Sequence, residues 1–505
     1  MRNSQRINYK VFTIAIYATF TAFSMPAQAD ESDLGEQLKK LKQMVEQLQQ
    51  QRLEQDKQME LLTKELVGVE NQLSQSKIVK AEEKGASKGS PVYGNFKDGL
   101  VFEDGIGNWK LQLNGRIQTD YRAFKPDDWK NDTFSIRRAR FGGTFSFLKD
   151  FAVRVEGEYA NDNTGAKGTA ALTYGYLDYT HWAAAKVRVG QFKPFFGLER
   201  PQSTNFTDFT ELSLATNNGA IFTSTYDRGV MVFGDPLPWL NYNAYVVNGS
   251  GQNNDALRDS KDVGGRLDAN FASFTGNKDL VLHAGASASS GSIGFSTAAG
   301  NSITQSTEGN GAQFFSVANV SSTTTGTTVN PSRFSSDRKR FGLETAVAYG
   351  PVKFQAEYIN TNFEGKLGST VAGVPFDDDI KVWYADFNWL VTGESYADTY
   401  KSGVFGRIKP KYNFDDKGGW GAFELGLRYS EFDASDFKSI LTAPTATTSF
   451  TSEANAWTAG GKWILNPNAR LMLNYIHTKL DTDIRVNGKL DDAEDAVVLR
   501  AQYDF

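Results

Sequence analysis

Phe151-Ala-Val-Arg-Val-Glu-Gly-Glu-Tyr159 changes character at almost every step. On an extended chain Phe151, Val153, Val155 and Tyr159 share one face, and Arg154, Glu156 and Glu158 share the other. The pattern recurs outward from this stretch. Phe341, Leu343, Val347 and Tyr349 oppose Arg340 and Glu344. Val352, Phe354 and Tyr358 oppose Lys353, Gln355 and Glu357, and Phe423, Leu425, Leu427 and Tyr429 oppose Glu424 and Arg428. The chain ends on it, with Val497, Leu499, Ala501, Tyr503 and Phe505 against Arg500, Gln502 and Asp504. A half-buried strand of a soluble sandwich also alternates. Two features favour a membrane barrel: the polar face carries full charges of both signs, as a wet lumen requires, and aromatics recur near strand ends, as lipid-interface girdles require.

Strands are expected at 109–122, 133–147, 151–160, 170–180, 186–192, 228–234, 241–248, 261–271, 280–288, 340–349, 352–361, 380–391, 420–433, 455–465, 469–480 and 495–505. Short links such as 148–150, 181–185, 350–351 and 466–468 alternate with long ones at 123–132, 193–227, 289–339, 362–379, 434–454 and 481–494. Link 392–419 breaks the alternation. It takes the place of a short turn yet is long, and it holds a strand-like piece, Val404-Phe-Gly-Arg-Ile408, left outside the strand count. An even count with closure satisfies every backbone group inside lipid. The expected fold is an all-β membrane protein, a 16-stranded antiparallel transmembrane β-barrel with an N-terminal coiled-coil helix.

Composition excludes other classes. Lys plus Arg is 54 against 59 Asp plus Glu, a net charge of −5, which argues against nucleic acid as a partner. The absence of Cys excludes a disulfide scaffold, Cys-ligated metals and thiol chemistry. His181, His283 and His477 lie far apart, and no P-loop, G-x-S-x-G or H-E-x-x-H motif occurs. No catalytic residue, metal site or cofactor is expected. Past residue 30 no apolar run of ~18 residues marks a transmembrane helix.

Arg2, Arg6 and Lys10, the apolar stretch Val11 to Phe23 and the small-residue site Ala27-Gln-Ala29 read as an export signal over 1–29. Over 30–76, Leu38, Leu41, Val45, Leu48, Met59, Leu62, Leu66, Val69 and Leu73 keep a seven-residue period, interrupted by Arg52 and Gln55. That seam suits two or more helices wound together, or a helix folded back on the chain. Residues 77–91 read as a linker and 92–505 as the barrel domain.

Several segments resemble the phosphate-selective porin O/P family of Gram-negative outer membranes: Leu113-Asn-Gly-Arg-Ile-Gln-Thr-Asp-Tyr121, Ile136-Arg-Arg-Ala-Arg-Phe-Gly-Gly143, Val189-Gly-Gln-Phe192 with Phe196-Gly-Leu-Glu-Arg200, Phe354-Gln-Ala-Glu-Tyr358 and Leu499-Arg-Ala-Gln-Tyr-Asp-Phe505. The resemblance covers roughly 100–505. It implies a sixteen-stranded, water-filled, trimeric channel in contact with outer-membrane lipid and lipopolysaccharide. Its third long loop would constrict the lumen, and its terminal Phe505 resembles an assembly signature. The coiled coil lies outside the matching part.

Link 193–227 holds Phe195, Phe196, Leu198, Phe206, Phe209, Leu212, Leu214, Ile221 and Phe222, too apolar for a solvated loop. It is expected to fold inward, with a contact between protomers as the alternative. Strand parity places Arg116, Arg138, Arg140, Arg154, Arg188, Arg340 and Arg428 in the lumen as anion-facing wall residues, or as partners of Asp120, Glu156, Glu158, Glu344, Glu357 and Glu424. Arg137 has the opposite parity and reaches the lumen only through a bulge. The constriction is expected to present Lys193, Arg200, Asn205, Asp208 and Glu211, with Asp208 and Glu211 opposing anions. Phosphate-selective relatives carry a lysine on this loop where Asn205 appears, and link 289–339 has no basic residue from 289 to 332. Both departures point to a general or weakly selective pore for small solutes and ions, phosphate among them. Asp377-Asp-Asp379 and Asp491, Asp492, Glu494 and Asp495 fall in expected external loops, as solvated acids or cation bridges. The competing readings are a structural tether acting through the coiled coil and an outer-membrane barrel enzyme, the latter lacking a nucleophile–base pair.

Overall fold

The computed structural model describes residues 92–505 except 97–98, 161–169, 256–260, 295–302, 318–334 and 368–373, and before them only positions 39, 42 and 43. Apart from those three positions, the segments expected over 1–29, 30–76 and 77–91 fall outside the described residues. The chain starts with a hairpin, β1 (Val92–Phe96) and β2 (Leu100–Asp104). Then come β3 (Trp109–Lys125), β4 (Thr133–Phe147), β5 (Phe151–Glu158), β6 (Ala171–Trp182), β7 (Ala185–Phe192), β8 (Asp227–Leu237), β9 (Leu240–Val247), β10 (Asp262–Asn270) and β11 (Leu280–Gly294). A small ribbon follows, β12 (Thr304–Ser306) with β13 (Gln313–Ser316), and then β14 (Ser335–Tyr349), β15 (Val352–Leu367) and β16 (Val374–Leu390). A two-residue pair, β17 (Tyr400–Lys401) and β18 (Val404–Phe405), precedes β19 (Ala422–Asp433), β20 (Glu453–Ile464), β21 (Ala469–Val486) and β22 (Lys489–Asp504).

Leaving out β1, β2, the ribbon and the two-residue pair, the remaining strands form a closed 16-stranded antiparallel barrel. Closure joins β22 to β3, from Asp495↔Lys125 down to Asp504↔Arg116. Below that point β3 would keep an open edge. Phe505 extends the ladder by exchanging both backbone hydrogen bonds with Gly115 at 3.0 Å, and β2 covers Lys110 to Leu113. Val404-Phe-Gly-Arg-Ile408 stays outside the barrel sheet, as expected.

The rim with the C-terminus and the short turns is the turn end; the other is the loop end. Val155, Val189, Leu343, Leu427 and Leu499 face outward and are exposed, while Glu156, Glu344, Arg428 and Arg500 face inward and are buried. Around the turn end Trp109, Phe145, Phe147, Phe151, Tyr179 and Trp182 touch in sequence, with ring centres 5.1–6.2 Å apart. Trp383, Tyr429 and Trp457 make a second band, at 5.2 and 4.9 Å, toward the loop end.

Link 481–494 is not a loop. β21 and β22 run on to a turn at Asn487-Gly488, both with positive φ (51° and 85°), a pair that suits a tight hairpin. β15 and β16 likewise extend to Leu367↔Val374. The two acidic groups expected in external loops therefore lie on β16 and β22. Above the apolar band the outward face turns polar, and apolar residues such as Phe363, Phe376, Ile380, Leu480 and Ile484 face inward instead, so apolar-out alternation no longer marks these strands.

Among the described residues, three connections enter the lumen. Residues 193–226 and the β12–β13 ribbon enter from the loop end, and 391–421 enters from the turn end. Phe209 shows how the wall receives them. Gly426 and Gly460 face each other on β19 and β20, and a Cβ on either would lie 3.0 Å from the Phe209 ring. The outward-facing neighbour Gly461 has nothing nearer than 3.7 Å. Gly426→Val is expected to cost about 1–3 kcal/mol by overpacking, and Gly461→Ala to be nearly neutral. The temperature at which the folded barrel loses its faster gel migration reads both.

Candidate permeation path

Loop 193–226 has no helix or strand and crosses the interior toward the turn end. There Arg116 donates to Thr204 Oγ1 at 2.6 Å, and Arg470 and Gln502 donate to the Asn205 carbonyl at 2.9 and 3.0 Å. Asn205 thus meets the wall through its backbone. Lys193 Nζ donates to the carbonyls of Arg200 and Gln202 at 2.9 and 3.1 Å. Burial, reinforced by Arg200, Arg140, Arg116 and Arg138, pushes the Lys193 pKa well below the usual lysine range. Arg200 binds the carbonyls of Thr216 and Ser224 at 2.8 Å and stacks over Phe222 at 4.0 Å.

The loop acids stand against wall cations. Asp208 accepts from Lys353 through both oxygens at 2.7 Å. Glu211 meets Arg122, Arg137 at 3.1 Å and Arg500 at 3.2 Å, and accepts from Asn310 at 2.8 Å. Burial alone would raise the Glu211 pKa, but the charges of Arg137, Arg122 and Arg500 outweigh it and hold it well below the usual carboxylate range. Arg137 arrives through a bulge, where the β3–β4 register shifts between Gln118 and Thr119.

The seven wall arginines all turn inward. Arg140 binds Glu158 at 2.5 Å and lies 3.6 Å from Glu156. Arg154 binds Glu156 at 2.7 Å over the Tyr174 ring, and Arg188 grips Asp178 at 2.7 and 2.8 Å over Tyr176. Arg428 joins Glu199 at 3.2 Å and Glu308 at 2.6 Å. Arg116 is only 3.9 Å from Glu156. Arg138 donates to Gln118 at 2.9 Å, and Arg340 to Ser289 at 2.8 Å, 4.9 Å above the Phe222 ring. The structure gathers Arg116, Arg138 and Arg140 near Lys193, and Arg154 joins Arg116 and Arg140 at Glu156. Arg340 instead lines a separate cavity with Arg200 and Arg338, and Arg428 lies under the ribbon.

Glu308 was not foreseen. It is fully buried, accepts from Arg428, Ser430, Thr458 at 2.5 Å and the Leu214 backbone at 3.2 Å, and ties the ribbon to the wall and the loop. It is the one charged residue between 289 and 332, close to Phe314-Phe315, and that combination was its available signal.

A family model described as "Phosphate-selective porin O and P" matches residues 111–505. Porin O of Pseudomonas aeruginosa is 25% identical over 445 residues, covering 83% of this chain and 93% of that protein. Among solved structures, the outer membrane channel DcaP of Acinetobacter baumannii is 12% identical, with 80% of this chain and 99% of that chain covered at a TM-score of 0.47. OmpT of Vibrio cholerae is 13% identical, with 79% and 98% covered at 0.45. With a family match across almost the whole barrel, the chain belongs to the phosphate-selective porin O and P family and is an outer-membrane porin.

Proposed function

We propose that this porin favours anions modestly and that they follow the β3–β5 side of the lumen. One observation carries this: among the described residues Arg116, Arg138, Arg140 and Arg154 gather around Glu156 and Glu158, with Glu211 as the further acid near Arg138. Surplus guanidinium charge along a wet wall draws anions in and repels cations. Phosphate is not singled out, because the donors that would close around it are already engaged by Glu156, Glu158, Gln118 and Thr204. The channel is passive and uses no catalytic residue. In the membrane the turn end faces the periplasm, and the chain is a homotrimer. The tether reading gains no support from the relatives.

Glu211 then acts as a mask. It occupies Arg122, Arg137 and Arg500 next to the same wall. One unit charge about 7 Å from a passing ion in water contributes about 0.6 kcal/mol, roughly threefold in the permeability ratio. Reversal potentials in a planar bilayer under a KCl gradient are expected to have the anion-selective sign, with no block by added phosphate. Cation preference would sink the proposal. The E211Q variant should shift the ratio a few-fold further toward chloride in the same measurement. Because its pKa is depressed, Glu211 stays ionised at about pH 4, where an ordinary carboxylate is about half protonated. Its stabilising contribution is full above the ordinary value and is lost only as the pH falls through the depressed one. The difference between wild type and E211Q is therefore expected to persist at about pH 4.

A further inference from the structure

Segment 391–421, which enters from the turn end, packs inside the barrel against the loop that enters from the other end. Tyr396, Phe405 and Ile408 share one apolar cluster with Leu198 of loop 193–226. Lys353 on β15 lies at their junction. It is fully buried, its Nζ donates to both Asp208 oxygens at 2.7 Å, and the ring centres of Tyr396 and Phe405 lie 5.0 and 4.6 Å from it. One ammonium thus touches the wall, the loop and the segment at once. Asp386 and Glu424 are the other acids within its electrostatic reach.

Further ties seat the same segment. The Tyr396 hydroxyl donates to Glu424 at 3.0 Å, Arg266 donates to the Gly403 carbonyl at 2.8 Å, and Tyr400 meets His283 at 2.7 Å. Arg407 pairs with Asp504 at 2.6 Å and lies 4.9 Å over the ring of Phe206, a loop residue.

We propose that Lys353 is a positioning residue that couples the two in-folded segments, so that loop 193–226 and segment 391–421 seat or unseat together. The physical reason is charge. Asp208 neutralises a buried cation that two aromatic rings also hold. Without Asp208 the ammonium loses its bonded counter-charge and keeps only the more distant Asp386 and Glu424; without Lys353, Asp208 keeps only Lys462 and Arg428. In either case the buried charge is relieved by admitting water, and water reaches it only by lifting the covering rings of 391–421 or the loop. This deepens the channel reading and rests on it only for the consequence for flux.

The test uses the absence of Cys in the chain. Ile408→Cys places a single thiol in the packed face of the segment, and a water-soluble maleimide reads its accessibility in the full-length protein without any current. D208N lies in the loop, far from 408 in sequence, yet is expected to speed labelling by at least about tenfold. K353M should do the same, and the D208N/K353M double variant should label no faster than the faster single, because both remove one interaction. Conversely, F405A should speed labelling of a thiol placed at the buried loop residue Thr207. Faster migration of the unheated protein on a gel confirms that each variant has folded, and D208N, the near-isosteric change, carries the test if K353M does not fold. Labelling at 408 that D208N leaves unchanged overturns the proposal. So do effects of D208N and K353M that multiply in the double variant, since they would then act at separate sites. Ion selectivity enters none of these outcomes, so a failure of the anion proposal is seen separately.

Discussion

A sixteen-stranded barrel encloses more space than wall side chains can fill, and this lumen is lined with charge. Behind the strands lies lipid, so each buried charge needs a counter-charge within the lumen. The chain meets this demand by division of labour. The wall supplies the bases Arg122, Arg137, Lys353, Arg428 and Arg500, and the in-folded connections supply the acids Glu199, Asp208, Glu211 and Glu308, with the wall acid Asp120 sharing Arg122 and Arg500. Connections and wall are therefore halves of one electrostatic unit.

The same division explains why the interior is not uniformly neutral. Where the loop acids reach, the wall cations are matched, as at Arg428 and Lys353. Along the first strands the matching is thinner, with Arg116, Arg140 and Arg154 sharing Glu156. Aromatic rings complete the fit. Phe209 occupies the space that Gly426 and Gly460 leave open, and Arg428 stacks over it at 4.6 Å. Rings of this kind exclude water from the ion pairs beside them, which strengthens those pairs and narrows the passage.

Much of this was legible in advance. Alternation located all sixteen barrel strands, because lipid on one side and water on the other impose a period of two. Parity sent Arg116, Arg138, Arg140, Arg154, Arg188, Arg340 and Arg428 inward, and the apolar content of 193–227 marked it as folded in. What escaped had local causes. Arg137 needed a bulge that changes the parity of one residue. The hairpin at Asn487-Gly488 was hidden because strands above the membrane lose their outward apolar face. The long link 392–419 stood out as irregular, but nothing in it showed that Tyr396 and Phe405 would flank a lysine.

By itself, then, the sequence determined which residues face lipid and which face the lumen, since that depends only on spacing along one strand. The tertiary structure alone decided which lumen charges meet. Glu199 and Arg428 are 229 positions apart, and Glu211 and Arg500 are 289. Such pairs depend on barrel closure and on the path of each connection across the lumen, and spacing along the chain encodes neither. Whether an inward arginine is free for an anion or held by a carboxylate is therefore a property of the closed barrel.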